Sequence, residues 1–253
     1  MRYFLASLIA TGALTAVAPF AAISPASAQQ SEAVLDSSPA DLDRSLLRRD
    51  AELEARRVLS DFVECVIARN PRGLVEYLAA TPNTPQAHRL GTRLVGGGRA
   101  RASQCLNRGE LRFVDSLLRG AVFEMLFRRD YTGRELPRFF DMRLASDTPV
   151  VPQDGNEEAR RWNALNRFSN CVVRLDTQSA RALILSDVNG NEETEAFGAL
   201  QEDLNRCMYF GSELSFSRPL LRGIIAEALY MHAKAAFAQP GPMTLADISG
   251  EGR

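Results

Sequence analysis

One block of this sequence occurs twice, in the same order and at nearly the same spacing. Phe62, Cys65 and Val66 return as Phe168, Cys171 and Val172, and Cys105 and Gly109 return as Cys207 and Gly211. Leu117-Leu118-Arg119-Gly120, followed by Glu124 and Leu126, returns as Leu220-Leu221-Arg222-Gly223, Glu227 and Leu229. The offset drifts only from 106 to 102 and 103. Self-similarity of this kind predicts a duplicated structural unit. A unit of about 80 residues buries a marginal core, so it needs a further constraint.

The four cysteines supply that constraint. Four cysteines allow three pairings, and each copy holds one early and one late cysteine. The expected bonds are therefore Cys65–Cys105 and Cys171–Cys207. Each closes a loop of roughly 40 residues, worth on the order of 3–4 kcal/mol in the chain-entropy account. Disulfides belong to oxidising compartments, and the N-terminus agrees. Arg2 precedes an apolar run from Phe4 to Ala18, and Ala26-Ser27-Ala28 has the small-x-small form of a cleavage site. The expectation is a signal peptide over 1–28, cleaved after Ala28, and a soluble periplasmic product. The apolar run is shorter than the roughly 20 residues of a spanning helix, and no later segment is apolar enough to span.

Without Arg2 the chain carries 29 basic against 31 acidic residues. That near-neutral balance gives no electrostatic reason to bind nucleic acid or an anionic membrane. The arginine pairs Arg48-Arg49, Arg56-Arg57, Arg128-Arg129 and Arg160-Arg161 are interspersed with acids and read as solvated helix faces.

Apolar residues recur at helical spacing and almost nowhere alternate, so the expected fold class is all-α: two tandem helical units, each with one internal disulfide. Residues 29–37 read as a disordered N-terminus. The first unit runs over 38–130, opening at the Ser38-Pro39 helix start with Leu59, Phe62, Val63, Val66 and Ile67 on its apolar face. Residues 131–156 form a proline-containing linker, in which Phe139 and Phe140 can pack onto a unit. The second unit runs over 157–236, and residues 237–253 are expected as a mobile tail.

The last helix of each unit carries the strongest polar signal. Leu117, Leu118, Ala121, Val122, Met125 and Leu126 form one stripe, matched by Leu220, Leu221, Ile224, Ile225, Ala228 and Leu229. Gly120 and Gly223 each cost about 1 kcal/mol relative to alanine inside a helix. The simplest common reason is close approach of a neighbouring helix. Arg119 and Glu124, like Arg222 and Glu227, are five residues apart and cannot pair along their own helix, where productive spacing is three or four. They are placed to reach other helices or the other copy. As two carboxylates, Glu124 and Glu227 are also candidates for an acid and base in one cleft.

Other motifs fail on their chemistry. Gly96-Gly97-Gly98-Arg99 lacks the lysine and preceding strand of a phosphate loop. Asp187-Val188-Asn189-Gly190-Asn191 begins like a calcium loop, but Glu192 stands where glycine is needed and Gly198 where the terminal acid is needed. It reads as a turn capping the next helix. No cysteine pair or histidine has zinc-ligand spacing, so no metal or other cofactor is expected. His88 and His232 read as surface or helix-end residues.

The Leu-Leu-Arg-Gly-x-x-x-Glu-x-Leu-Phe/Tyr block and paired cysteines resemble a group of bacterial exported proteins of unassigned function. The likeness covers roughly residues 55–130 and 160–235. It implies export and duplication and carries no activity. The leading expectation is a non-catalytic, envelope-associated interaction protein, with an envelope protein as partner. The alternatives are a periplasmic hydrolase using Glu124 and Glu227, and a carrier of an apolar small molecule.

Overall fold

The structure is a computed structural model that describes residues 39–96, 105, 114–142, 144, 157–208, 216–237 and 242–250. The expected signal peptide, the 29–37 segment, Ser38, Gly97, Gly98 and residues 145–156 lie outside these. Two compact units are distinguished, Met1–Ser45 and Leu46–Arg253. Apart from the first residues of α1, everything below concerns the second.

The described residues form helices and no strands. Helix α1 (Pro39–Arg69) ends where Asn70 meets Pro71. Asn70 then caps α2 (Pro71–Ala79): its Oδ1 accepts from the Gly73 N–H at 3.2 Å, with Pro71 at the first helical position. The same device opens the matching short helix of the second block. Asp176 Oδ1 accepts from the Ser179 N–H at 2.9 Å and starts α6 (Thr177–Leu185). Between them come α3 (Pro85–Gly96), α4 (Asp115–Tyr131) and α5 (Glu157–Leu175). The chain continues with α7 (Asn191–Cys207), α8 (Arg218–Phe237) and α9 (Leu245–Ser249). Disulfides join Cys65 to Cys105 and Cys171 to Cys207, the two expected pairs.

Helices α4 and α8 meet at the centre of the unit, and their glycines face each other. A Cβ on Gly120 would lie 2.5 Å from the Gly223 Cα, and one on Gly223 would lie 3.0 Å from the Gly120 Cα. Only glycine at both positions permits this approach. Farther along, Phe123 meets Tyr230 and Tyr131 meets Phe237, so the two helices advance in the same sense. Described residues on both sides of 131–156 thus share one core within Leu46–Arg253, in which Phe62, Leu126, Phe168 and Leu229 are all buried.

Four features differ from the sequence reading. The buried face of α4 is turned toward Phe123 and Phe127; Leu117, Ala121 and Met125 are only half-buried. The aromatic contacts with α8 set that rotation. The first part of the expected linker packs through Leu136 and Phe139, as that reading allowed, but Phe140 is exposed instead of packing beside them. His232 is fully buried and stacks on Phe139 at 5.2 Å, while His88 is exposed. The segment expected as a mobile tail contains α9, closed by a Thr244–Asp247 capping box and by Gly250 at φ 75°. Its Ile248 is fully buried, and Lys234 Nζ lies 2.8 Å from Asp247. One apolar anchor and one ion pair dock a segment whose proline- and glycine-rich approach reads as loose.

Candidate functional site

Arg119, Glu124, Arg222 and Glu227 do reach the other helix, and they do so crosswise. Arg222 Nε donates to Glu124 Oε2 at 3.0 Å and its Nη2 to Oε1 at 2.8 Å. Arg119 Nε donates to both carboxylate oxygens of Glu227 at 3.0 and 2.9 Å, and its Nη2 to Oε1 at 2.7 Å. Each guanidinium also holds the end of a short helix. Arg119 Nη1 donates to the Leu78 carbonyl on α2 at 2.7 Å, and Arg222 Nη2 to the Ile184 carbonyl on α6 at 3.2 Å. Carbonyls at helix C-termini lack partners within the helix, and arginine is well shaped to take them.

The surroundings of the two pairs differ. Arg222 is 2% exposed and saturated. Besides Glu124 and Ile184 it donates to Glu193 Oε1 at 2.8 Å, Ser186 Oγ at 3.2 Å and the Ser186 carbonyl at 2.8 Å. Burial opposes its charge, but the hydrogen bonds and charges of Glu124 and Glu193 outweigh burial and raise its pKa above the ordinary arginine value. Glu193, itself fully buried, accepts from the Asn189 N–H at 2.8 Å and lies 3.5 Å from Arg56 Nη1. Arg128 joins from α4, reaching Glu124 at 3.3 Å and the Ser186 carbonyl at 2.7 Å.

Arg119 has fewer partners. Of a guanidinium's five N–H donors, its Nε, one on Nη1 and one on Nη2 are used. Its plane lies over Phe123 and over Trp162, at 5.3 and 5.6 Å from the ring centroids. Trp162 stands where the 106-residue offset places Arg56 in the first block. Beneath this helix pair, Tyr77 on α2 donates to the Asp115 carbonyl at 2.7 Å, and burial first of all pushes its phenol pKa up.

A cleft opens beside each pair. One, of about 260 Å³, lies between α1, α4 and α8 and includes Leu117, Ala121, Glu124 and Arg222 in its wall. The other, of about 420 Å³, is lined by Arg119, Glu227, Trp162, three asparagines of α5 and Met243. Each wall holds an ion pair, which an apolar ligand would desolvate without replacing its hydrogen bonds. Glu124 and Glu227 do not face one cleft as a free acid and base, because each is held at two points by an arginine. Among the described residues no group of three or more His, Cys, Asp or Glu is placed to hold a metal ion. None of the described helices is long and apolar enough to cross a membrane.

Sequence reasoning missed Glu193, Arg56 and the Trp162 wall. Arg56 reads as half of a solvated pair, yet its side chain is 14% exposed and also meets Glu52 at 2.8 Å. Arg161, at 62% exposed, fits the solvated reading. Glu193 has the ordinary look of an acid in a helix's first turn. The available signal was the departure from symmetry, since residues 87–91 carry no acid. The 187–191 segment is a turn, with the Gly190 N–H donating to the Asp187 carbonyl at 3.1 Å and Asn189 at φ 58°. Comparison with protein-family models, curated proteins and solved structures finds no match to this chain.

Proposed function

We propose that this is an exported, non-catalytic protein of the bacterial envelope, built by duplication of a helical unit, that works by binding another envelope component. The observation that carries the non-catalytic part is the crosswise pairing. The polar residues most prominent in the sequence are engaged with each other across α4 and α8, where they hold α2 and α6 in place. A carboxylate held by a bidentate arginine is a poor general acid or base, since transferring its proton breaks the pair. The two disulfides favour an oxidising compartment. The apolar N-terminal run with its Ala26-Ser27-Ala28 site favours export. Duplication is favoured by the repeated capping of α2 and α6 and by the facing glycines.

The test is cell fractionation of the tagged full chain, followed by crosslinking in intact cells. The expected result is a periplasmic protein beginning near Gln29 that repeatedly captures the same envelope protein. A chain retained in the cytoplasm with residues 1–28 attached overturns the export reading. Hydrolytic activity lost in both Glu124→Gln and Glu227→Gln overturns the non-catalytic one.

A further inference from the structure

We infer that the cleft beside Arg119 and Glu227 is a binding site for a neutral saccharide. This role is separate from envelope docking and does not depend on it. The cleft, of about 420 Å³, falls within the volume range of small-molecule sites.

Three properties of its wall select the ligand. First, Arg119 and Glu227 are the only charged residues lining it among the described residues, and their charges cancel. An ion entering this cleft loses its water and finds no net counter-charge. Second, the wall offers hydrogen bonds of both polarities. Asn163, Asn166 and Asn170 are spaced three and four residues apart on α5, so their amides lie along one face. Asn170 is 3% exposed; its amide donates to Asn166 Oδ1 at 3.2 Å, while its own Oδ1 is buried without a hydrogen-bond partner. A buried acceptor left unpaired carries its full desolvation cost, a cost that a ligand hydroxyl reaching it would remove. Two N–H groups of Arg119 likewise have no acceptor among the described residues. Third, Trp162 and Met243 give the same cleft an apolar side. A molecule that both donates and accepts around its rim, has an apolar ring face and carries no charge fits all three. Hydroxyls act in both senses, and a sugar ring presents C–H groups that suit an aromatic and thioether wall.

The same region of the other pair lacks this chemistry. There Arg56 and Ser60 stand at the offsets of Trp162 and Asn166, and Arg222 has no donor left over.

Trp162 is the only tryptophan in the chain, so intrinsic fluorescence reports on this cleft directly. The purified protein should be titrated with glucose, N-acetylglucosamine and the β-1,4-linked disaccharide of each. Glucosamine and glucuronate serve as charged counterparts, and ligand-observed NMR as a second readout. At least one neutral saccharide is expected to give a saturable signal, with the charged counterparts about tenfold weaker or worse. One lost hydrogen bond is worth about a factor of ten, so Asn170→Leu and the half-buried Asn163→Ala should each weaken binding by about that much. Asn163→Ala keeps the test decisive should Asn170→Leu fail to fold. No saturable signal by either method, equal binding by folded variants, or tighter binding of a charged sugar would each overturn the inference.

Discussion

Arg119 and Arg222 stand in the same tetrapeptide, Leu-Leu-Arg-Gly, and each grips a glutamate of the opposite helix. Around Arg222 the chain supplies Glu193, Ser186 and Arg56, and the guanidinium disappears into a network in which each of its own donors is spent. Around Arg119 the corresponding positions carry no acid, an alanine at 80 and a tryptophan at 162, and a cleft remains. The motif therefore fixes the crosswise pairing of α4 and α8, while neighbours outside the motif decide whether the arginine of a pair is saturated or keeps unspent donors beside its cleft.

The largest expected effect tests that division. Arg222→Met leaves Glu124 and the fully buried Glu193 without their main cation. Removing one partner of a buried ion pair costs about 3–5 kcal/mol. Arg119→Met strands only Glu227, whose side chain is 13% exposed and can be partly hydrated. Its loss should be about 1–3 kcal/mol, in the range of a hydrogen-bonded partner removed. Urea unfolding of the two variants checks the order. Equal losses would mean that the surroundings do not distinguish the pairs.

Next come the glycines on which both pairs depend. Alanine gains about 1 kcal/mol of helix propensity over glycine, but here the new methyl meets backbone. Overpacking costs about 1–3 kcal/mol or more, so contact should win. Gly120→Ala, with its Cβ 2.5 Å from the Gly223 Cα, should cost more than Gly223→Ala, at 3.0 Å from the Gly120 Cα. A rise in thermal midpoint for either variant would mean that α4 and α8 do not meet at these residues.

Ser186→Ala sharpens the comparison by a smaller amount. It makes the Arg222 side resemble the Arg119 side, where Ala80 stands at the matching offset. The variant removes the Oγ that accepts from Arg222 at 3.2 Å and donates to the Leu183 carbonyl at 2.8 Å. A loss of about 1 kcal/mol is expected. An effect below a few tenths would show that the remaining acceptors saturate Arg222 without it.

The contrast between the pairs also marks how far the sequence could be read. Helix positions, the disulfide pairing and the close helix approach were legible because each has a local cause: periodicity, cysteine order, a glycine inside a helix. The crosswise reach of Arg119 and Arg222 was legible from spacing, since Glu124 and Glu227 each lie five residues from the arginine of their own helix, outside the three or four at which the two could pair. Which arginine is buried was not. That depends on Glu193, 29 residues before Arg222 in the chain, and only folding brings α7 against α8. The docking of α9 was hidden for a similar reason. Ile248 is the one buried residue of a five-residue helix, too short to show a period, and the residues that cover it come from distant parts of the chain.

The smallest effect concerns that docked segment, which has a role on one side only. Pro242 and Met243 help wall the Arg119 cleft, and the Pro242 carbonyl accepts from Lys234 Nζ at 2.8 Å. Burial alone would raise the Asp247 pKa, but the hydrogen bond and charge of Lys234, together with the Thr244 hydroxyl and N–H, bring it below the ordinary aspartate value. A carboxyl whose folded-state pKa is depressed adds stability that is fully present above its unfolded value of about 3.9 and is lost as pH falls through the lower, folded one. The segment should therefore stay docked through mildly acidic conditions and loosen only beneath the usual carboxylate range. Trp162, sharing the cleft with Met243, should report the change as a fluorescence shift. Asp247→Asn should produce that shift already at neutral pH and abolish its acid dependence, while the Arg222 side stays unchanged. A shift centred above the ordinary aspartate pKa, or one that persists in Asp247→Asn, would assign the transition to another group and detach α9 from the asymmetry between the two pairs.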